Sequence, residues 1–580
     1  MSNVVEAVDP SPRHNILKQP ALVRSFELLA TADDGVAKLR EMILMLAVRG
    51  KIEPQSHSEQ PAKKLVSQIG AAKRQLLDSG RIRRDKPTPE VRDDDVPWAI
   101  PSNWVWVRLG DLGQIVGGGT PKSDDHAMWS PPTVPWLTPA DLYRSTEKYV
   151  ARGRRKISEV GLASSSAQLL PPSTVLFSSR APIGYVAIAA EPLATNQGFK
   201  SCVPHLPSLA GYLYWFLKSA AKGIDAAASG TTFKEISGGE FSKVLVPLPP
   251  LAEQHRIVAR VEELMKLCDV LEQSGRLADE QHARLASTLF DALATSESAH
   301  ALAENWLRIA EHFDILLDRA EAIDAFDQTV LQLAVRGVLV SQAASDEPAF
   351  ALLDRIAAYR QGSLGRGKYT LPTAIDEAAC PFTVPAGWAW APWEAVALQI
   401  GDIDHKMPRE VADGVPYISP RDFIEGNGID FANAKKITVT DYEDLASKIR
   451  PERGDLIYPR YGTIGKVRLV ETDERFLASY SCAIIKCLPK FVDPNYQYLV
   501  SISPLIVDQA AAATNKTTQP NVGLKSIKTF LFPLPPLAEQ RRVVARVEEL
   551  RRLSADLRNR LLQARQTQSR LAAALVTEAA

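Results

Sequence analysis

A direct repeat limits what this chain can fold into. The run VPLPPLAEQHRIVARVEELMKL from Val246 returns as FPLPPLAEQRRVVARVEELRRL from Phe532, with Pro247 and Pro533 286 residues apart. Upstream, MLAVRGKIEPQ from Met45 pairs with QLAVRGVLVSQ from Gln332, and PSNWVWV from Pro101 with PAGWAWA from Pro385. Between these, VPWLTPADL from Val134 matches VPYISPRDF from Val415, and Arg180 with Ile183-Gly184 aligns with Arg460 and Ile464-Gly465. Short repeats stack into solenoids, whereas a period this long marks a duplicated domain. The chain therefore reads as two copies of one unit, roughly 1–298 and 299–580. Its 580 residues are too many for a single core.

Each copy has the same order. Residues 1–100 hold short helical segments and a charged linker, and 299–384 repeat that arrangement. Residues 101–250 and 385–536 are mixed regions. Their short β-branched runs, such as TVLFSS from Thr174, YVAIA from Tyr185 and CAIIKCL from Cys482, are separated by Gly and Pro and read as strands. Long helices follow over 251–298 and 537–580. Pro249-Pro250 and Pro535-Pro536 stop a strand ladder, and proline is tolerated at a helix start. The predicted class is α+β, with two α/β domains related by a pseudo-twofold axis.

Along the long helices apolar positions alternate in steps of four and three. The first seam is Ile257, Val261, Leu264, Cys268, Leu271, Leu285 and Leu289; the second is Val543, Val547, Leu550, Leu557, Leu561, Leu571 and Leu575. Gly275, His282 and Gln568 are weak points in the pattern. A heptad seam predicts a coiled coil, and antiparallel pairing of the two copies suits a pseudo-twofold. An amphipathic helix packed on its own domain is the alternative.

Composition removes several function classes. No basic-then-apolar leader opens the chain and no run of about 20 apolar residues occurs, so neither secretion nor membrane spanning is predicted and a cytoplasmic location is expected. The five cysteines form no C-x-x-C pair. There is no phosphate loop: GGGTPKS from Gly117 has proline before its lysine, which removes a needed N–H. No tetrapeptide of the kind that grips a flipped adenine, no glycine-rich methyl-donor loop and no zinc motif is present. No catalytic residue, metal site or cofactor is predicted on this chain.

Lys plus Arg equals Asp plus Glu at 68 each, which argues against a stand-alone nucleic-acid binder. The first mixed region carries four more cations than anions, and the second is close to neutral. Candidate DNA-reading residues in loop-like contexts are Thr120, Lys122, Arg180, Tyr185, Asn196, Gln197, Lys200, Thr231, Thr232 and Lys234 in the first region. In the second they are Arg421, Arg460, Tyr461, Thr463, Lys466, Tyr480, Lys516, Thr517, Thr518 and Gln519. Arg and Lys suit guanine edges and phosphates, while Asn and Gln suit adenine.

The duplicated PLPPLAEQ helices, the WVWVRLGDL opening from Trp104, and the runs GGGTPKS, VPWLTPADL, SSRAPIGYVAIA from Ser178 and ATNQGFKS from Ala194 together resemble the specificity subunits of type I restriction–modification systems. The likeness covers nearly the whole chain. It implies two target recognition domains reading a bipartite double-stranded DNA site, with the helices as an antiparallel spacer. It also implies two methyltransferase subunits carrying S-adenosylmethionine and two restriction subunits using ATP and Mg²⁺. Because the mixed regions differ, the target should be asymmetric, with a gap near one DNA turn. The second region has GDIDHKMPRE from Gly401 where the first has GGGTPKS, so base-reading residues do not transfer between them. Two competing hypotheses are a single-chain methyltransferase or nuclease, and a coiled-coil scaffold that never touches bases.

Overall fold

The computed structural model describes residues 29, 32, 34–56, 58–84, 87–143, 145, 147–180, 182–228, 234–296, 298–364, 375–462, 464–514 and 520–579. The chain forms two compact units, one of Met1–Leu277 with Ala564–Ala580, the other of Ala278–Gln563.

The first unit begins with helices α1 (Gly35–Val48) and α2 (Ala62–Asp78). Strands β1 (Val105–Arg108), β2 (Gly113–Gly117), β3 (Val134–Leu137), β4 (Tyr149–Val150), β5 (Arg155–Ile157), β6 (Val175–Ser179), β7 (Ile183–Ala189), β8 (Ala194–Thr195) and β9 (Lys200–Pro204) follow. Then come helix α3 (Ala210–Ala227), strand β10 (Leu245–Leu248) and helix α4 (Leu251–Ala294). Five strands order as β2-β9-β6-β7-β4, three as β5-β3-β8, and β1 pairs with β10. Every residue of β6 is buried, the mark of a strand covered on both faces. Tyr212, Leu213, Trp215, Phe216 and Leu217 of α3 fill the same core as Val175 and Phe177 of β6.

The second unit repeats this plan. It has helices α5 (Ala299–Glu311), α6 (Ala320–Arg336) and α7 (Ala349–Leu364), then strands β11 (Ala389–Pro392), β12 (Gln399–Gly401), β13 (Val415–Ile418), β14 (Lys435–Ile437), β15 (Leu456–Pro459), β16 (Arg468–Leu469), β17 (Leu477–Ala478) and β18 (Cys482–Lys486). Helices α8 (Pro494–Ser501) and α9 (Pro504–Ala513), strand β19 (Leu531–Leu534) and helix α10 (Leu537–Ala579) complete it. The sheets order as β12-β18-β15-β16, β14-β13-β17 and β11-β19. Where the first unit has the single helix α3, the second has α8 and α9, because Pro504 lacks the N–H that would continue α8.

Three of the repeat signatures meet at one point in each unit. The Glu253 carboxylate accepts hydrogen bonds from Trp104 Nε1 (3.0 Å) and Gln55 Nε2 (2.6 Å), and Gln55 also donates to the Gly50 carbonyl. In the second unit Glu539 accepts from Trp388 Nε1 (3.0 Å) and Gln342 Nε2 (2.7 Å), and Gln342 donates to Gly337. Gly50 and Gly337 have φ of +68° and +73°, and a Cβ there would meet the Trp104 or Trp388 ring. Gln254 and Gln540 donate to the Pro249 and Pro535 carbonyls just before each helix. LAVRG, W-x-W and PLPPLAEQ are thus parts of one clamp that fixes where each long helix starts. Burial raises the carboxyls of Glu253 and Glu539 above their ordinary titration range despite these donors.

The long helices span 44 and 43 residues. The first part of the predicted seam is buried, but in the core of its own unit. Ile257, Val261, Leu264 and Cys268 pack with α3, with Leu271 at the margin; Val543, Val547 and Leu550 pack in the second core, with Leu557, Leu561 and Leu289 alongside. Farther along, the heptad expectation fails. Leu285 and Leu571 are 50% and 51% exposed, while their neighbours Ala286 and Ala572 are buried. Leu575 is half-buried. Cys268 to Ala286 and Ser554 to Ala572 are each 18 residues, five turns of an unsupercoiled helix. A heptad pattern drifts by about 20° per repeat on such a helix, so its stripe leaves the buried side.

Candidate DNA interface

In the first unit the ends of β2 and β6 and the start of β9 form one rim. Gly117 pairs with Lys200, Ser178 with Phe199 and Arg180 with Glu235. The loop after β2 folds across that rim. A Cβ on Gly118 would strike the Thr195 and Asn196 carbonyls, and one on Gly119 the backbone of Ser166–Ala167. The glycines of GGGTPKS therefore permit close packing. Two indoles hold the loop: Trp136 Nε1 donates to the Gly119 carbonyl (3.0 Å) and Trp129 Nε1 to the Lys122 carbonyl (2.9 Å). Arg155 lies over Trp129, 3.9 Å from its ring centroid.

This brings together candidates distant in sequence. Thr120, Lys122 and Gln197 line a polar recess of 340 Å³ with Ser164, Ser165 and Ser166. Thr120 donates to Gln197 Oε1. Asn196 is turned to its own backbone, accepting from the Gly198 N–H. Lys200 is partly spent on Glu235 (3.1 Å), and Lys234 lies 3.8 Å from Asp225. Arg180 is half-buried at the rim, and Tyr185 packs part of its ring on a core cluster. Thr231, Thr232, Thr463, Lys516, Thr517, Thr518 and Gln519 lie outside the described residues.

The second unit has the same frame and a different rim. Val175 pairs with Cys202 in β9, and Leu456 with Ile485 in β18. Ser179 N–H donates to the Gly198 carbonyl and Arg460 N–H to that of Ser481. Arg460 therefore stands where the first unit has Ser179, and Tyr461, bridged to Asn521, where it has Arg180. The sequence pairing of Arg180 with Arg460 is off by one, and a one-residue slip in a strand reverses its face. Arg460 points inward, is 7% exposed, and spends its guanidinium on Asp402 and the Val522 carbonyl. It does not reach the surface as a base reader. By the same register Asp402 takes the place of Gly117.

Asp402 also lies 3.4 Å from His405 Nε2 and 3.6 Å from Lys448, and the exposed His405 ring stacks on Tyr480 with centroids 4.7 Å apart. Lys448 lies 3.2 Å from Asp404. Lys466 and Arg421 are exposed, Arg421 being 3.7 Å from Asp422.

Sequence reading missed a second cationic element. Arg152, Arg154, Arg155 and Lys156 are exposed on and before β5. Arg155 and Lys435 hold equivalent positions, opposite Trp136 and Tyr417, and each lies over that ring (5.6 and 5.8 Å). Burial pushes the Tyr417 hydroxyl up to about 12, so the Lys435 contact is to a neutral ring. The ARGRRK run was visible in the sequence; its place beside the glycine loop was not. Among the described residues no cluster of His, Cys, Asp and Glu could hold a metal, and no helix is long and apolar enough to cross a membrane.

The family model described as "Type I restriction modification DNA specificity domain" matches residues 101–279 and 398–564. The chain belongs to the type I restriction–modification DNA specificity family. The matched segments take in the first strand region, the second from β12 onward, and the first part of each long helix. It is 30% identical to the type I restriction enzyme EcoAI specificity subunit of Escherichia coli over 570 residues, 94% of each chain. It is 29% identical to the EcoEI specificity subunit of the same organism, again over 94% of each. A crystal structure of the HsdS subunit from Thermoanaerobacter tengcongensis aligns over 83% of this chain and 98% of that one, at 16% identity and a TM-score of 0.39.

Proposed function

We propose that the two rims read the unlike halves of one split, asymmetric DNA target, and that the long helices set the gap between them. One observation carries this reading. The clamp and strand register recur in both units, yet equivalent rim positions hold different chemistry, Gly117 with Ser179 in one and Asp402 with Arg460 in the other. Identical heads would read an inverted repeat; unlike heads on one frame read unlike half-sites.

The chain supplies specificity and partner subunits supply chemistry. Two methyltransferase subunits carrying S-adenosylmethionine and two restriction subunits using ATP and Mg²⁺ complete the assembly, in the cytoplasm. The balanced overall charge favours this division, since phosphate neutralisation dominates DNA affinity. Co-expression with the cognate methyltransferase subunit, followed by genome-wide mapping of methylated adenines, tests the proposal. One split, non-palindromic motif is expected. A contiguous or palindromic motif contradicts it, and methylation by this chain alone with S-adenosylmethionine would make it an enzyme.

A further inference from the structure

Strand register aligns the two rims residue by residue. Ile115 pairs with Cys202 as Ile400 pairs with Ile485, which sets Val116 against Gly401 near the ends of the paired strands; in the loops that follow, Thr120 and His405 each stand four residues on. Trp136 pairs with Ala194 as Tyr417 pairs with Leu477. The next bond agrees: Asn196 N–H donates to the Leu137 carbonyl and Ser479 N–H to the Ile418 carbonyl, each at 2.8 Å. Gln197 and Tyr480 are therefore equivalent.

These four residues form the same contact twice. In the first unit the loop residue Thr120 holds Gln197 through a hydrogen bond. In the second the loop residue His405 holds Tyr480 by ring stacking. Both members of the pair change together while the strands beneath keep their register. Thr120, Gln197 and His405 are exposed and Tyr480 is half-exposed. Joint change is what any touching pair requires; what sets these pairs apart is that they stand at the surface of the rim, where their polar groups can meet a ligand.

Resting on the DNA-reading function proposed above, we infer that the positions of Gln197 and Tyr480 are the base-reading positions of the two units, with Thr120 and His405 as their positioning residues. Gln197 reads an adenine. An amide oxygen has two lone pairs and the amide nitrogen two hydrogens. Thr120 occupies one lone pair, which fixes the amide plane. The other lone pair and the N–H donors remain for adenine N6 and N7, the donor–acceptor pair of its major-groove edge. Tyr480, braced by His405, presents a ring edge and a hydroxyl, so its half-site is read by different chemistry.

The test compares adenine-methylation motifs made by wild-type and variant chains, each co-expressed with the cognate methyltransferase subunit. For Gln197→Ala, discrimination at one adenine of one half-site should fall on the order of ten- to a hundredfold while the other half-site is unchanged. Gln197→Glu should shift that same position toward cytosine, because a carboxylate only accepts. Tyr480→Ala should alter the other half-site alone. Thr120→Val, which leaves Gln197 in place but unheld, should weaken the same position as Gln197→Ala. Unchanged motifs, with or without lower methylation, overturn the inference, as does a change at both half-sites from one substitution. Thermal melting separates lost folding from lost reading; Gln197→Glu, similar in size at an exposed site, keeps the test open if the alanine variant does not fold. Absence of any motif from the wild-type complex would instead refute the specificity reading itself.

Discussion

Arg460 and Asp402 are buried side by side, and burial makes their pairing obligatory. Removing Arg460 leaves Asp402 only Lys448 (3.6 Å) and His405 (3.4 Å), so the cost should fall toward the lower end of the about 3–5 kcal/mol of a stranded buried charge, whereas replacing both is far milder. Arg460→Ala should therefore destabilise the second unit strongly. The double variant Asp402→Gly with Arg460→Ser, which installs the residues of the first unit, should recover most of that loss. Denaturant midpoints of the three proteins measure it; a double variant as unstable as the single would mean the frame itself needs the charges. The buried carboxyl of Glu253 gives a prediction in pH. Its folded-state titration point is raised above 4.5, so the folded form holds a proton more readily than the unfolded chain. The resulting stability is fully present below about pH 4.5 and declines as pH climbs through the raised value. Relative to Glu253→Gln, the wild-type protein should lose stability as pH rises across that window, and parallel stability curves would contradict this. Residue by residue, the sequence was legible where chemistry is local. Clamp residues stood out because both copies keep them. Arg460 misled because its side was set by a one-residue shift in strand register, which a string of letters does not display.

Elements were readable where period and punctuation agree, as at the proline-started helices, and less so where two periods compete. Heptad and straight-helix patterns coincide for the first turns after Leu251 and separate farther on. The predicted seam thus holds from Ile257 to Cys268 and misses by one position at Leu285 and Leu571. Placing charge at these sites distinguishes the two patterns. Leu285→Asp and Leu571→Asp should cost little, within about 1 kcal/mol, as surface changes do. Ala286→Asp and Ala572→Asp put an unpaired carboxyl into cores lined by Phe290 and Val576, and should cost several-fold more. Thermal melting of the four variants decides; equal losses at both pairs would restore the heptad seam. The division of α3 into α8 and α9 was also written in the sequence, at Pro504, but only the register of the surrounding strands shows the two segments to be counterparts.

For the whole molecule, the duplication and the difference between the two mixed regions were plain in the letters, but which residues meet at each rim was not, because that depends on loops meeting across strands. If the rods set the spacing between half-sites, their length and helical phase should both be measurable in DNA. Inserting seven residues after Gly275 and after Leu561, the equivalent point in α10, lengthens each rod by about 10 Å and turns it by only about 20°. At about 3.4 Å per base pair the gap should grow by roughly three base pairs with the half-sites unchanged. Three base pairs also rotate the second half-site to another face of the duplex, so methylation should fall. Inserting 25 residues instead adds about 37 Å, seven helical turns and close to one turn of DNA. Both phases are then restored, and methylation should recover at a gap longer by about eleven base pairs. Methylome mapping reads gap and efficiency together. A gap unmoved by either insertion would remove the spacer role from the helices and leave the spacing to the partner subunits.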